Sequence, residues 1–321
     1  MKKRILASIL AAFMTIAFFT ACDDSSDVGN LGDDKRGSSS RSSDSASSDQ
    51  STYDDSTQPT TNSKNANDSK NEIVLETYQN NDFSILVPQG WNLETGGDGV
   101  YFYYTISNPN DDSMVAFRYG KLEPILKSEE ARASWQNWGP ITGNGTGGEY
   151  FGKAPVCLEK TAKGMLDSWN EFVDYQKLMG QTTTFVPLYD INVKSCDQRQ
   201  SALSSAGIPE TIAVADCKTA SGKSAQIALS TAISDPGYMD IFSEGIDTYY
   251  MSAYETTGIL LPDNCSEGIA KALAQCVASL QFSDEFLNRA KQQGEAMLYD
   301  VQTRSAQNEA LMDDFMRKWG Y

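Results

Sequence analysis

Apolar and polar residues divide the chain into three stretches. An apolar run extends from Ile5 to Phe19 behind the basic opening Met1–Arg4. From Asp23 to about Asn71, small polar and charged residues dominate, and they cannot bury enough apolar surface to offset the ordering entropy of the chain. From Ile73 onward, apolar residues recur at the spacings of strands and helices. This pattern predicts a disordered tether over residues 22–72, followed by about 250 residues, enough for one sizeable domain or two small ones.

Short apolar runs bounded by turn formers predict a series of strands. They lie at residues 73–78, 83–87, 101–106, 114–119, 211–214, 225–230 and 249–254. The segments Asn80–Asp82, Ser107–Ser113 and Ala220–Lys223 separate them and are rich in residues that favour turns. The spacing within Ser107–Ser113 does not match an EF-hand loop, so we expect a plain turn there rather than a calcium site.

Apolar residues at helical spacing predict the helices. Ser128 is a suitable N-cap for a helix that ends near Trp138, and two further stripes mark helices ending near Gly180 and Leu280. Trp135 and Trp138 share one face of the first helix. Such a pair can stack on a sugar, but an aromatic stripe at this spacing is more often part of the core, and we expect the core.

Two more apolar stripes follow Phe282, and the second of them contains Leu311, Phe315 and Trp319. A helix with such a face must pack on something. Residues 283–321 are therefore predicted to form a helical extension, with these three side chains as the candidate partner surface. Packing of the extension back onto the domain is the alternative.

The N-terminal stretch matches a secretory signal peptide over residues 1–21. Its end, Phe19–Cys22, resembles the lipobox of bacterial lipoproteins, although a leucine is usual where Phe19 stands. The resemblance implies that Cys22 becomes the mature N-terminus and carries a diacylglyceryl group and acyl chains such as palmitate. It also implies a location at the cell membrane, lipid-anchored on the extracytoplasmic face. A transmembrane helix is less well supported, because the run is shorter than the ~20 apolar residues that a span needs.

The acidic balance of the chain restricts its partners. The formal net charge is −17, and removing Lys2, Lys3 and Arg4 with the signal peptide gives −20. Nucleic-acid phosphates and anionic lipid headgroups repel so acidic a chain. We therefore expect no nucleic-acid binding, attachment to the lipid bilayer through acylated Cys22, and an extracytoplasmic protein or cell-wall partner.

The sequence contains no histidine. This excludes Ser-His-Asp and Cys-His nucleophilic systems and the His-ligated zinc sites of hydrolases. Carboxylate chemistry of the glycosidase type remains, and it needs two carboxyl groups about 5–9.5 Å apart. The candidates, by residue type only, are Glu123, Glu129, Glu130, Asp167, Glu171 and Glu255.

Of the six cysteines, five remain besides Cys22, and an odd number leaves at least one thiol unpaired within the monomer. Cys196 and Cys217 form the candidate disulfide. Cys276 lies on an apolar helical stripe and is predicted to be a buried small hydrophobe. No metal or cofactor site is predicted, since the phosphate-loop-like spacing of residues 147–154 ends in Ala154, which lacks the hydroxyl that holds Mg²⁺.

The start of the folded part carries a family resemblance. Behind a paired strand, Asn-Asp-Phe-x-Ile-x-x-Pro-x-Gly-Trp over residues 81–91 resembles the opening of PsbP-like domains and of a group of clostridial-type lipoproteins. A late strand and a helix ending Ser-Leu-x-Phe at residues 279–282 resemble the final βα unit of that family. The resemblance implies an α+β fold with a central antiparallel sheet covered by helices, over residues 73–282. It is weak between about 120 and 205, where we expect an insertion.

These observations favour a membrane-tethered extracytoplasmic module that binds or scaffolds a partner, in line with the accessory roles of the PsbP family. The metal-binding histidines of that family have no counterpart here. The alternatives are a carboxylate-based, glycan-active hydrolase and a small-solute-binding lipoprotein.

The first prediction concerns Cys22. The variant Cys22→Ser is expected to be released from the membrane or to stay unprocessed, because it lacks the thiol that takes the lipid. Metabolic labelling with a fatty-acid analogue measures the modification, and an unlabelled wild-type protein would contradict the lipobox interpretation.

Overall fold

A seven-stranded antiparallel sheet is the framework of the folded part. The computed structural model describes residues 73–142, 150–180, 185–292 and 301–321, which belong to one compact unit, Asp68–Tyr321. The strands are β1 (Leu75–Gln79), β2 (Phe83–Pro88), β3 (Asn92–Gly96), β4 (Tyr103–Asn108), β5 (Asp111–Ile125), β6 (Tyr189–Arg199), β7 (Glu210–Lys218), β8 (Ser224–Ser234), β9 (Met251–Pro262) and β10 (Gln281–Phe282). The large sheet has the order β3-β4-β5-β9-β8-β7-β6, and β2 forms a second antiparallel sheet with β1 and β10.

The described residues form seven α-helices, which are α1 (Glu129–Thr142), α2 (Ala162–Asp167), α3 (Trp169–Leu178), α4 (Ala202–Ser205), α5 (Glu267–Ala278), α6 (Asp284–Gln292) and α7 (Val301–Trp319). Among these helices, none combines the length and the apolarity that a membrane span requires. The predicted α+β fold with an antiparallel sheet is confirmed. Strands β3 and β6 were not predicted from the sequence. Both are edge strands whose side chains are mostly exposed, so they carry few of the apolar residues on which strand prediction depends.

Both faces of the large sheet are apolar, and both are covered. In β7, Ile212 and Val214 point to one face, whereas Ala213 and Ala215 point to the other. The first face packs against β2 and helices α5, α6 and α7. The second packs against α2, α3 and the segment around Phe185. The alternation of side chains along each strand thus fills two cores, and the domain has three layers with the sheet in the middle.

Residues 120–205 are an integral part of this architecture, and the expectation that they hold an insertion relative to the PsbP-like core stays a prediction. They contain the end of β5, helices α1 to α3 and the edge strand β6. Met165, Trp169 and Phe172 are buried against the second face of the sheet. Without this stretch, that face would be open to solvent. The single helix predicted to end near Gly180 is two helices, α2 and α3, which meet at Ser168.

The C-terminal helices also belong to the core. Phe286 of α6 and Leu311 and Phe315 of α7 are buried in the cluster on the first face of the sheet, and Trp319 packs against that cluster. The interpretation of Leu311, Phe315 and Trp319 as a partner surface is therefore wrong, because the domain itself covers these side chains. Phe282 marks no domain boundary.

A buried ionic network fastens α7 as well. Arg199, at the end of β6, donates from Nη1 to Glu210 Oε1 (2.9 Å) and from Nε to Asp314 Oδ2 of α7 (2.9 Å). The Ser230 hydroxyl donates to the same Glu210 oxygen at 2.7 Å. Arg199 and Glu210 are each 5% exposed. Breaking a pair buried this deeply typically costs about 3–5 kcal/mol, so polar as well as apolar contacts define where α7 lies.

The predicted disulfide between Cys196 and Cys217 is not formed, and all five cysteines within the described residues are free. Strand register explains why. Cys196 of β6 lies opposite Ala213 of β7, and Cys217 lies four residues further along β7. At about 3.4 Å per residue, that offset exceeds the roughly 4.4–6.8 Å between the Cα atoms of a disulfide. Cys276 is buried on α5, as predicted.

The second prediction tests the place of α7 in the core. The variant Phe315→Ala is expected to lower the free energy of unfolding by about 3–5 kcal/mol, because it leaves a cavity around a fully buried ring. Urea unfolding of the variant and of Glu309→Ala, an exposed position on the same helix, gives the comparison. The control should change stability by less than about 0.5 kcal/mol. Equal, small effects of both substitutions would show that α7 is not part of the core.

Candidate functional site

A turn of 3₁₀ helix, Gly99–Tyr101, lies directly against β5. Gly120 permits this approach, since a Cβ atom at that position would come within 2.2 Å of the Val100 carbonyl oxygen. A residue with any side chain would push the turn away from the strand. The contact places the ring of Tyr101 beside Lys121, the next residue of β5.

Strand pairing supplies the other half of the cluster. Lys121 of β5 lies opposite Tyr254 of β9, and the same register brings Glu123 within hydrogen-bonding distance of Ser252. Tyr250 directly precedes β9, and its ring contacts the ring of Phe151. We call these residues the tyrosine patch: Tyr101, Lys121, Glu123, Tyr250, Ser252 and Tyr254.

The carboxylate of Glu123 is the polar centre of the tyrosine patch. Its Oε1 accepts a hydrogen bond from the Tyr101 hydroxyl (2.5 Å) and forms an ion pair with Lys121 Nζ (2.7 Å). Its Oε2 accepts a hydrogen bond from the Ser252 hydroxyl (2.7 Å). The side chain is 18% exposed, so these contacts hold a mostly buried charge in one orientation.

Aromatic rings surround this centre. The ammonium of Lys121 lies 5.4 Å from the ring centroid of Tyr101 and 5.8 Å from that of Tyr254, distances typical of cation–π contacts. Tyr250 extends the surface, with ring centroids 5.2 Å from Tyr249 and 5.4 Å from Phe151. Tyr101 is 44% exposed, so solvent and ligands can reach the patch.

The protonation states of the patch follow from these contacts. Burial raises the pKa of Glu123, but the charge of Lys121 and hydrogen bonds from Lys121, Tyr101 and Ser252 outweigh it and hold that pKa below 4.5. Burial and the nearby charge of Glu123 raise the pKa of Tyr101, and the same two causes raise the pKa of Tyr250 to about 12. At neutral pH the patch therefore presents a carboxylate and neutral phenol groups.

This arrangement suits recognition better than proton transfer. A general acid needs a carboxyl group whose pKa is raised toward the working pH, and the pKa of Glu123 is shifted the other way. Aromatic faces beside fixed hydrogen-bonding groups are what ligand and partner sites commonly use. A second ion pair, Arg118 with Glu255, lies on the same two strands, and its guanidinium sits 5.6 Å from the ring of Phe282.

The other predicted carboxylates are engaged elsewhere. Glu129 and Glu171 both pair with Arg132. Asp167 pairs with Lys163 at 2.7 Å. Glu130 is exposed at the start of α1, where hydrogen bonds from the backbone and from Ser128 lower its pKa. Within the described residues, no group of three or more Cys, Asp or Glu side chains is placed to hold a metal ion.

An open groove of about 410 Å³ lies between the α2–α3 junction and the start of β6. Its rim carries Asp167, Glu171, Tyr189 and Asp190. Each of these carboxylates already has a cationic partner: Lys163, Arg132 and Lys218, at 2.7, 2.6 and 2.5 Å respectively. The carboxylates on the rim of the groove are thus already paired, and the groove offers fewer aromatic faces than the tyrosine patch.

Trp135 is a core residue, as predicted. Its ring stacks on Phe151 with a centroid distance of 4.2 Å, and its indole Nε1 donates to the Thr248 carbonyl at 2.9 Å. Trp138 packs partly buried against the same cluster. Phe151–Lys153 form a short 3₁₀ turn, while residues 147–149, the start of the phosphate-loop-like stretch, lie outside the described residues.

Sequence reasoning named Glu123 but missed the residues around it. The signal lies in Tyr101 and in the pair Tyr250 and Tyr254, which is about 150 residues further along the chain. The β5–β9 register and the packing of the Gly99–Tyr101 turn against β5 bring them together. Cys22, the predicted lipidation site, lies outside the described residues.

Comparison with known proteins adds no relative. No protein-family model matches the sequence, and a search of curated proteins finds no significant match. The PsbP-like resemblance therefore stays a prediction.

The third prediction uses the ionised state of Glu123. A depressed pKa means that this carboxylate contributes stability above about pH 4.5, and that the contribution is lost as pH falls through the lower folded-state pKa. The variant Glu123→Gln is expected to be about 1–3 kcal/mol less stable than wild type at pH 7, because it weakens charge-assisted hydrogen bonds. The gap should shrink at pH 3. Urea unfolding at both pH values measures it, with the exposed position Glu94→Gln as control. A gap that does not change with pH would contradict the assigned charge.

Proposed function

We propose that this protein is a membrane-tethered, extracytoplasmic binding or scaffolding module. The signal peptide and the lipobox-like Cys22 support the location. The tether over residues 22–72 would let the folded unit reach a partner near the membrane surface. The resemblance to PsbP-like domains belongs to the same proposal, and the antiparallel sheet between two covering layers is compatible with it.

One observation carries the proposal: the tyrosine patch joins accessible aromatic rings to a preorganised ion pair. Tyr101 is 44% exposed, yet its hydroxyl is held by Glu123 at 2.5 Å. A side chain that is both accessible and fixed loses little conformational entropy when a partner binds. Tyrosine is also among the residues that most often dominate binding energy at interfaces.

The fourth prediction tests this function in cells. A photo-crosslinking amino acid at position 101 or 254 is expected to yield discrete adducts, whereas the same probe at Tyr78 or Tyr189, exposed tyrosines elsewhere on the domain, yields none. The adducts should weaken at least severalfold in a Glu123→Gln background, because the patch then loses its fixed geometry. The gel mobility of the adducts is compared before and after digestion with glycan-degrading enzymes. This comparison distinguishes captured proteins from captured cell-wall material.

Equal capture from all four positions would mean that the patch is not a binding site. Absence of any adduct from positions 101 and 254 would overturn the proposed function.

A further inference from the structure

Two loops carry the most exposed large apolar side chains of the described residues. Leu158 is 77% exposed and Tyr238 is 67% exposed. We call these two side chains the loop tips. A single exposed apolar residue is common on protein surfaces and indicates nothing by itself. The loop tips differ from that case, because each lies on a fixed backbone and the two loops are joined to each other.

The backbone on both sides of Leu158 is anchored. Before it, the Cys157 N–H donates to the Leu126 carbonyl at 2.9 Å, beside a parallel β-bridge between the same two segments. After it, the N–H of Thr161, the N-cap of α2, donates to the Glu159 carbonyl at 2.8 Å. The Cys157 side chain is buried, so the turn between these anchors leaves the leucine in solvent.

The loop between β8 and β9, which carries Tyr238, is fixed as well. Its two arms are joined by the Thr248 N–H, which donates to the Met239 carbonyl at 3.0 Å. On its inner side, the ring of Phe242 packs on Trp135 with a centroid distance of 4.9 Å. Core contacts therefore occupy the inner side of the loop, and the tyrosine tip stays outside.

Two lysines join the loops. Lys127 Nζ donates to the carbonyl of Gly237, next to the tyrosine tip, at 2.6 Å. The same atom pairs with Asp235 at 2.7 Å and with Asp247 at 2.8 Å. Lys160, two residues after the leucine tip, pairs with the second oxygen of Asp235. The loop tips are therefore neighbours, and the two lysines and two aspartates beside them have no net formal charge.

This surface suits the interface of a lipid bilayer. Apolar and aromatic side chains enter the boundary between headgroups and acyl chains, and a lysine can keep its Nζ among the headgroups. A protein partner usually needs a broad, complementary surface of about 800 Å² on each side. Two protruding side chains do not offer such a surface, whereas a fluid bilayer adapts its shape to them.

The chain outside the folded part selects the same partner. About 50 residues separate Cys22, the predicted lipid anchor, from Ile73. A flexible chain of that length spans roughly 35–42 Å, so the domain stays within reach of the bilayer. Such a tether raises the effective concentration of the membrane surface, and a small apolar contact then suffices for docking. Because the chain is acidic overall, we expect apolar insertion rather than charge to drive the contact.

We propose that the loop tips, Leu158 and Tyr238, dock the folded domain onto the bilayer that holds its lipid anchor. The proposal rests on the membrane-tethered location in the proposed function and goes beyond it, because it states which end of the domain faces the membrane. The β8–β9 loop leads into Tyr250 of the tyrosine patch, so docking would also hold that patch close to the membrane surface.

Photo-crosslinking to lipid tests the proposal. The acylated full chain, with a benzophenone amino acid at one position, is reconstituted into phosphatidylcholine vesicles that contain an alkyne-tagged phospholipid. A probe at position 158 or 238 is expected to yield lipid adducts. The same probe at Tyr78 or Tyr189, exposed tyrosines elsewhere on the domain, should yield severalfold less. Equal labelling at all four positions would show movement near the bilayer without docking and would overturn the proposal.

A substitution at one loop tip should reduce lipid labelling at the other. Leu158→Glu is expected to lower the adducts at position 238 about tenfold or more, because the apolar contribution of the leucine is lost. Its melting temperature should not change, since the side chain is exposed. Leu178→Glu, at an exposed leucine that ends α3, is the matched control and should label like wild type.

The reciprocal measurement uses Tyr238→Glu with the probe at position 158, and it should show a similar loss. Unchanged labelling in both tip variants would contradict docking. A lower melting temperature of Leu158→Glu with unchanged labelling would make this leucine a structural residue, which also contradicts docking.

Fatty-acid labelling of the same samples separates this proposal from the proposed function. Acylated protein without lipid adducts at positions 158 and 238 would overturn docking and leave the proposed function standing. Protein adducts instead of lipid adducts at these positions in cells would make the loop tips a protein-binding surface and overturn docking too. A wild-type chain without acylation at Cys22 would remove the location on which both proposals rest.

Discussion

The apolar character of both faces of the large sheet is the constraint on which the structure depends. Ile212 and Val214 on one side and Ala213 and Ala215 on the other cannot all be buried by a single layer of cover. An antiparallel sheet with one apolar face can leave its other face in water, but this one cannot. The chain therefore covers the sheet on both faces, and five of the seven described helices, α2, α3, α5, α6 and α7, take part in this cover.

The two layers of cover come from different parts of the sequence. The stretch between β5 and β6 folds into α2 and α3 and closes the second face. The first face is closed by β2 from the start of the domain and by α5, α6 and α7 from its end. The first and last parts of the described chain thus meet on one side of the sheet. The contact of Arg199 with Asp314 fastens α7 to β6 with a buried charge.

The tyrosine patch lies where polar residues replace apolar ones along β5 and β9. Val115 and Phe117 of β5 are buried in the core, whereas Lys121 and Glu123, a few residues further along, are partly exposed. A charged pair at such a point must satisfy its own hydrogen bonds, and the hydroxyls of Tyr101 and Ser252 do so. The result is a rigid, accessible group of rings whose ionisable members are already paired, which is the property that favours binding over acid–base chemistry.

Most of the local elements follow from patterns along the chain. Period-two and helical spacing placed most of the strands and helices, including the hairpin of β7 and β8 and the stripe that contains Cys276, because these patterns depend only on neighbours along the chain. The same local reasoning put Trp135 in the core and recognised Phe315 as part of an apolar face.

Tertiary structure decided what each apolar or reactive group meets. An apolar stripe indicates that Phe315 must be covered, but not whether the domain or a partner covers it. Cys196 and Cys217 lie on adjacent strands and still cannot join, because register sets them four residues apart. Glu123 and Ser252 are 129 residues apart in sequence, and only the pairing of β5 with β9 makes them neighbours. Long-range register depends on the sum of all packing contacts, and no local pattern contains that sum.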